Sequence, residues 1–248
     1  MGKQDGLSFA HTLADAADVI TMGHFKSRDL RVETKADLTP ASEADTGAEA
    51  AIRELVRTSG RGEGVVGEEF GDDECDACWI VDPIDGTKNY VRGMPVWATL
   101  LALQRDGVVE CALVSAPALG RRWWAARDGG AFVDGKRCHV SRIARIEDAY
   151  ISTVSRHGAP GELAELIDRA WSAQSLGGFW QHCLVAEGVL DIACQPEPRL
   201  WDYVAPTLIV EEAGGRATTF SGARPAEYEP YLTTNGILHD EVVRMLSN

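Results

Sequence analysis

Positive charge is in short supply in this chain. Its 24 Lys and Arg face 38 Asp and Glu, a formal net charge of −14 over 248 residues. A surface that acidic repels nucleic acid and anionic lipid at long range, which argues against both as partners. Long hydrophobic runs are missing too. No apolar stretch approaches the roughly 20 residues needed to cross a bilayer. The N-terminal MGKQDGLSFAHTLADAADV has no basic region followed by an apolar core, so it does not read as a secretory signal. The expectation is a cytoplasmic protein. Cysteine is sparse: of six, only Cys75 and Cys78 have a recognisable spacing. One C-x-x-C without a second ligand pair or thioredoxin-like surroundings gives little ground for zinc or redox chemistry, and it reads as a coincidental pair in an acidic loop. Repeats, low-complexity tracts and linkers are absent as well.

What is present is an ordinary globular composition, 45% hydrophobic and 25% charged. The length suits one large domain or two closely packed lobes, expected here as a single domain, 1–248, with lobes 1–136 and 137–248. Apolar residues from Leu7 to Ile20 recur at helical spacing and predict an opening helix over 7–26. Residues 29–38 read as a short hairpin or loop. Thr39-Pro40 is expected to start a second helix running through Val56. Short strands are expected at Val65–Gly67 and at Trp79–Val81, the latter stopping at Asp82-Pro83. Ala98–Gln104 and Val108–Ser115 flank Asp106-Gly107, a hairpin signal, and Arg122–Ala126 is a further strand. In the second half, helices are expected at 161–171, 183–189, 202–213 and 238–246, with a strand at 190–193. The pattern predicts a mixed, layered α/β fold.

Acids collect at the ends of these elements: Ser42-Glu43-Ala44-Asp45, Gly67-Glu68-Glu69, Asp82-Pro83-Ile84-Asp85-Gly86-Thr87 and Trp201-Asp202. Hard divalent cations take such oxygen ligands, and Mg²⁺ asks for octahedral geometry with waters retained. Asp82 ends a hydrophobic strand, Pro83 forces an abrupt exit, and Asp85 follows closely enough for one turn to aim both carboxylates into one volume. The Ile84 carbonyl is left free to act as a ligand. Gly86 permits close approach of an oxyanion, and the Gly86 and Thr87 N–H groups open a helical turn where phosphate binds well. Simpler roles stand beside these. Asp45 fits a capping box with Ser42, Asp202 an N-cap, Glu68-Glu69 a solvated pair, and Lys35 a surface lysine. The DPIDGT segment has no such plain role: two acids, a proline and a glycine after a buried strand are expected where local rules yield to function.

Together, KADLTPASEAD (Lys35–Asp45), Gly67-Glu68-Glu69, WIVDPIDGTKNYVRGMP and WDYVAPTLIVEEAGGR resemble the inositol-monophosphatase superfamily, in its order and spacing, along almost the whole chain. Within it, VRGMPVWATLLAL, VSAPALGRRWWAAR, CLVAEG and TNGILHDEV look like phrases of actinobacterial histidinol-phosphate phosphatases. The resemblance implies an αβαβα layered sandwich, Mg²⁺ dependence with two or three ions, and a homodimer. It implies metal ligands at Glu68, Asp82, the Ile84 carbonyl, Asp85 and Asp202, with Asp45 and Thr87 orienting the attacking water and Glu68 also in the catalytic set. It puts phosphate on the Gly86 and Thr87 N–H groups, Lys35 on a lid and Glu69 in support. The implied reaction is hydrolysis of a small phosphate monoester by a metal-activated water, with histidinol phosphate the first substrate.

Two positions depart from the likeness. Gly178 and Gln195 stand where those phosphatases usually show acids, natural partners for the ammonium of histidinol phosphate. Around them lie Phe179, Trp180, His182 and Trp201, which suit either helix packing or a flat pocket for a ring. A nucleotide, an inositol phosphate or a specialised metabolite is therefore the alternative substrate. A binding or regulatory protein that has kept the fold is the alternative of another class.

Overall fold

The computed structural model describes residues 3–35, 40–153 and 161–247. The chain divides into two units, Met1–Arg127 and Asp128–Asn248.

The first unit opens with helix α1 (Lys3–His24) and an antiparallel pair, β1 (Val32–Thr34) with β2 (Pro40–Ser42). Helix α2 (Glu43–Thr58), strands β3 (Gly64–Gly67), β4 (Gly71–Asp72) and β5 (Ala77–Asp85), the short helix α3 (Thr87–Val91) and strands β6 (Ala98–Arg105), β7 (Val108–Ala116) and β8 (Arg121–Ala126) follow. These strands lie in the order β4-β3-β5-β6-β7-β8. Only β3 and β5 are parallel, and β5 to β8 form an antiparallel meander. Period-two alternation sorts the sheet faces. Trp79 and Val81 of β5, Leu101 and Leu103 of β6, and Cys111 and Leu113 of β7 pack with the apolar stripe of α1 (Leu7, Ala10, Leu13, Ala14, Ala17) and with Ala48, Ile52 and Val56 of α2. Asp82 is thereby turned to the opposite face of β5.

Two expectations change here. Pro40 lies in β2, and the helix begins at Glu43; Thr39 falls outside the described residues. Ser42 sets the start, because its side chain accepts the Ala44 N–H at 3.2 Å while Asp45 Oδ2 accepts the Ser42 N–H at 2.8 Å, a full capping box. Strand β5 does not stop at Asp82-Pro83 either. It runs on to Asp85 with a register shift, Asp82 facing Leu100 and Asp85 facing Ala98. The shift is a bulge, one of the few places a sheet accepts proline, since the ladder is interrupted where the N–H is missing.

The second unit holds the hairpin β9 (Gly130–Val133) and β10 (Lys136–Arg137), then β11 (Tyr150–Ser152), α4 (Gly161–Arg169), β12 (Ser172–Gln174), α5 (Gly178–Ala186), β13 (Ile192–Gln195), α6 (Leu200–Glu212), β14 (Arg216–Thr219), β15 (Tyr231–Thr234) and α7 (His239–Leu246). Its sheet has the order β12-β11-β13-β15-β14, parallel about β11 and antiparallel about β15. Leu163 and Leu166 of α4 and Val242 of α7 close over Ile151, Ile192, Cys194 and Leu232, while α5 packs against α6 and β13. Helix α5 starts five residues before the expected point, after Gly177 with φ 70°, and β13 lies two residues later than expected.

Candidate active site

The segment from Asp82 to Thr87 is fixed on all sides. Asp82 is almost wholly buried, and its Oδ1 accepts the Ile84 N–H at 2.9 Å. The Thr99 hydroxyl donates to the Pro83 carbonyl at 2.9 Å. The Ile84 side chain sits in a cluster with Ala44, Tyr90 and Trp97, joined by Phe25 and Leu30, in which Tyr90 and Trp97 meet edge to face with centroids 4.9 Å apart. The Tyr90 hydroxyl is anchored on the Thr21 carbonyl at 2.6 Å. Sequence reasoning missed this aromatic base, because its members are scattered from Phe25 to Trp97 and no local pattern joins them. Gly86 takes φ 89°, and a Cβ there would lie 3.1 Å from the Val96 carbonyl oxygen, so glycine is required on both counts. One carboxylate oxygen each of Asp82 and Asp85 lie within 4.8 Å of each other.

Thr87, the first residue of α3, brings its hydroxyl to 3.0 Å from the Ile84 carbonyl and 3.3 Å from Asp45 Oδ1. One hydroxyl hydrogen thus serves two acceptors. Asp45 is fully buried. Burial raises its pKa, against the opposing pull of the Ser42 hydroxyl and N–H. Asp45 thus fills the expected capping role and also meets Thr87, Oδ2 turned to Ser42 and Oδ1 to Thr87.

Glu68 and Glu69 follow β3. Lys35 Nζ reaches Glu68 Oε1 at 2.8 Å and Glu69 Oε1 at 2.6 Å, so neither the lysine nor the acids are plain surface groups. Burial works against the Lys35 charge, but its bonds and attraction to the two glutamates outweigh it and raise the pKa. Burial pushes Glu69 up to about 7, with Lys35 opposing. The pair is held by a residue the sequence reading passed over. Glu49, fully buried on α2, accepts the Glu69 N–H at 2.8 Å and the Phe70 N–H at 3.2 Å, and Arg53 Nε donates to it at 2.9 Å. A Cβ on Gly67 would come within 2.2 Å of Glu49 Oε1, so the glycine of Gly67-Glu68-Glu69 makes room for that carboxylate. A signal existed: Glu49 is an acid on the same helical stripe as Ala48, Ile52 and Val56.

In the second unit, Asp202 lies in the first turn of α6, whose N-cap is Arg199. Asp202 is not the cap itself; its Oδ2 accepts the Arg199 N–H at 2.9 Å. Of the five pocket candidates, Phe179 and His182 are buried outright, and for these two packing replaces the pocket role. His182 Nδ1 lies 2.8 Å from the Thr233 hydroxyl and Nε2 3.0 Å from Gln195 Oε1. Burial lowers its pKa to about 4, Gln195 opposing, so the ring is neutral. Trp180, Gln195 and Trp201 are half-buried, and the Trp180 indole N–H has no hydrogen-bond partner among the described residues. Cys75 and Cys78, expected to be a coincidental pair, are joined in a disulfide.

The first-unit donors suit a hard cation. Buried and half-buried carboxylates gathered this closely repel one another unless a positive charge joins them, and all the donors are oxygens, the preference of Mg²⁺ rather than of a softer metal. Acids able to hold a cation, next to a buried Asp–Thr pair, are an arrangement that can direct water onto a phosphate ester. The comparisons agree with that chemistry. Histidinol-phosphatase of Mycobacterium tuberculosis is 47% identical over 99% of both chains, and that of Streptomyces coelicolor is 45% identical over 98% of this chain and 97% of its own. The solved structure of Thermotoga maritima IMPase superimposes with a TM-score of 0.89 at 32% identity, covering 98% of this chain and 97% of that one. The protein is a hydrolase of phosphoric monoesters with an α/β layered fold. More particularly, a profile of the Inositol monophosphatase family matches residues 3–246, and the chain belongs to that family.

Among the described residues, no helix is long and apolar enough to cross a membrane.

Proposed function

We propose that this phosphatase converts histidinol phosphate to histidinol, with Mg²⁺ held by Glu68, Asp82, the Ile84 carbonyl and Asp85. The substrate rests on the likeness to two histidinol-phosphatases along nearly the full length of each chain. When bound, the metal, as two or three ions in this reading, supplies positive charge to the phosphoryl oxygens and acidifies water.

The side chains do the rest. The attacking water gives a proton to Thr87 Oγ as the Thr87 hydroxyl hydrogen passes to Asp45 Oδ1, 3.3 Å away. Burial has made that carboxylate a better proton acceptor. The Gly86 and Thr87 N–H groups face the phosphate. Lys35, kept charged by Glu68 and Glu69, adds a cation beside the acids, and Glu69 supports it. Asp45, Thr87 and Glu68 form the catalytic set, and Trp180, Gln195 and Trp201 take the imidazole end. The enzyme acts as a homodimer in the cytoplasm on this reading.

A second substrate class has one observation in its favour. Gln195 Oε1 is engaged by His182, which leaves the amide N–H₂ rather than an acceptor for the substrate, and Gly178 offers no side chain. An uncharged or nucleoside monoester suits that lining better than an ammonium does. A phosphate-release screen over histidinol phosphate, inositol phosphates and nucleotides, with Mg²⁺ and with chelator, decides between them. The expected result is fastest release from histidinol phosphate, lost in chelator. Faster turnover of a nucleotide or inositol phosphate transfers the assignment to the second class.

A further inference from the structure

We propose that Cys75 and Cys78 form a reversible redox-modification site whose disulfide secures the Glu68–Phe70 segment through Asp73, Arg53 and Glu49. The sulfurs are bonded, and both residues are half-buried, Cys75 in the connection after β4 and Cys78 in the start of β5. The remaining cysteines, Cys111, Cys138, Cys183 and Cys194, are buried. The bonded pair is thus the one that a thiol in solution reaches. A bridge between residues three apart removes little freedom from the unfolded chain, so global stability does not explain it.

Its position does. Two residues before Cys75, Asp73 clips the loop to β3: its N–H donates to the Val65 carbonyl at 2.9 Å, and its Oδ2 accepts the Val65 N–H at 2.9 Å. Arg53 Nη1 donates to Asp73 Oδ1 at 3.1 Å, and the same guanidinium donates to the Gly71 carbonyl and, through Nε, to Glu49 Oε1 at 2.9 Å. Glu49 then holds the Glu69 and Phe70 N–H groups. Cys75 itself packs on the start of β3, where a Cβ on Gly64 would come within 2.6 Å of its sulfur. An unbroken set of contacts therefore runs from the disulfide to the acids beside Lys35.

The reductant is a dithiol. Its thiolate attacks one sulfur of the pair and forms a mixed disulfide, and the other cysteine leaves as a thiolate. The second thiol of the reductant closes on the mixed disulfide, and its proton goes to the departing cysteine. Two electrons pass from the dithiol to Cys75 and Cys78, and the protons balance. Asp72, Asp73, Glu74 and Asp76 surround the pair, so anionic thiols such as glutathione are repelled, and a neutral dithiol or a dithiol protein with a basic face is favoured.

The test uses metal-free protein, so it does not depend on the proposed substrate or on turnover. Amide hydrogen exchange is followed across residues 64–72 in oxidised and dithiothreitol-treated protein, with thiol titration to confirm opening of the pair. Reduction is expected to speed exchange at the Glu69 and Phe70 amides by about fivefold or more. The double variant Cys75→Ser, Cys78→Ser should exchange like the reduced wild type and ignore dithiothreitol. Asp73→Ala, with the bridge intact, should also exchange fast and respond little to reduction. Equal exchange in the oxidised and reduced wild type overturns the proposal, as does a pair that dithiothreitol cannot open in the folded protein. Should the double variant not fold, the two forms of the wild type still decide the question. Failure of the histidinol phosphate reading would appear in the phosphate-release screen and leave these rates unchanged.

Discussion

The two units bury polar groups in different ways. In the first, carboxylates stand beside hydroxyls: Asp45, Glu49, Glu63 and Asp82 are all at most 8% exposed, along with Thr21, Ser42, Thr99 and Ser115. In the second the buried set is mostly neutral, with Gln181, His182, Thr233, Thr234, Asn235 and His239 in the interior and Asp191 the exception. Asp191 is answered by the Ser141 hydroxyl and the Tyr150 N–H. Neutral networks fix shape, because each member is satisfied by its neighbours. Buried carboxylates call instead for charge of the opposite sign: Glu49 has Arg53, and Glu63 has Arg61 and Arg105. The first unit's interior thus depends on charge pairing, and the second's mostly on neutral hydrogen bonds.

The sharpest way to break that contrast is Asp82→Asn. Removing the buried charge should cost about a thousandfold or more in kcat, while thermal unfolding of the metal-free protein shifts little or upward. A large drop in Tm would mean that the first unit's charge is structural after all. Thr87→Ala should lower kcat by about a hundredfold or more, with KM nearly unchanged. An effect confined to KM would assign Thr87 to binding alone.

The second unit is probed by acid. His182 is held neutral with a pKa of about 4, against 6.5 for the free group, and His239 likewise stands at about 4. The unfolded chain takes up protons that the folded one refuses. Stability should therefore be full above pH 6.5 and fall as pH drops toward 4, by on the order of 3 kcal/mol for His182. Urea unfolding at successive pH values measures this, and His182→Gln should flatten the profile; an unchanged slope in that variant would remove His182 from the account. The smallest expected effect is on specificity. Gln195→Glu keeps an acceptor for His182 and adds a charge for an ammonium, so kcat/KM for histidinol phosphate should rise about tenfold relative to an inositol phosphate.

How much of this was legible in the sequence follows the same divide. The DPIDGT turn announced itself because proline, glycine and paired acids break the rules of a buried strand. The likeness to the family pointed to Asp45, Glu68 and Thr87, and in the first unit Asp45 meets the Thr87 hydroxyl while Glu68 meets Lys35. Glu49, Gly67 and the Phe25–Tyr90–Trp97 base were not read, since their roles exist only once α2, β3 and the turn are packed together. Proline also misled: Pro40 looked like a helix opener and Pro83 a strand stop, where strand pairing in the first case and a bulge in the second overrode local preference. In the second unit His182 and Phe179 looked like pocket residues because polar and aromatic side chains near a site carry no mark of which way they face.

The bulge in β5 has a consequence for how this site can change over time. Between Asp82 and Asp85 the strand spends three steps where β6 spends two, which frees main-chain oxygens that a regular ladder would have claimed. The Pro83 carbonyl goes to Thr99 and the Ile84 carbonyl to the Thr87 side. A main-chain oxygen is the same whatever residue carries it. Point mutation at position 84 can reshape the hydrophobic seat below, yet it cannot delete the donor above. Only a gain or loss of a residue in the segment can do that, so the ligand proposed at the Ile84 carbonyl is one that substitution alone cannot erase.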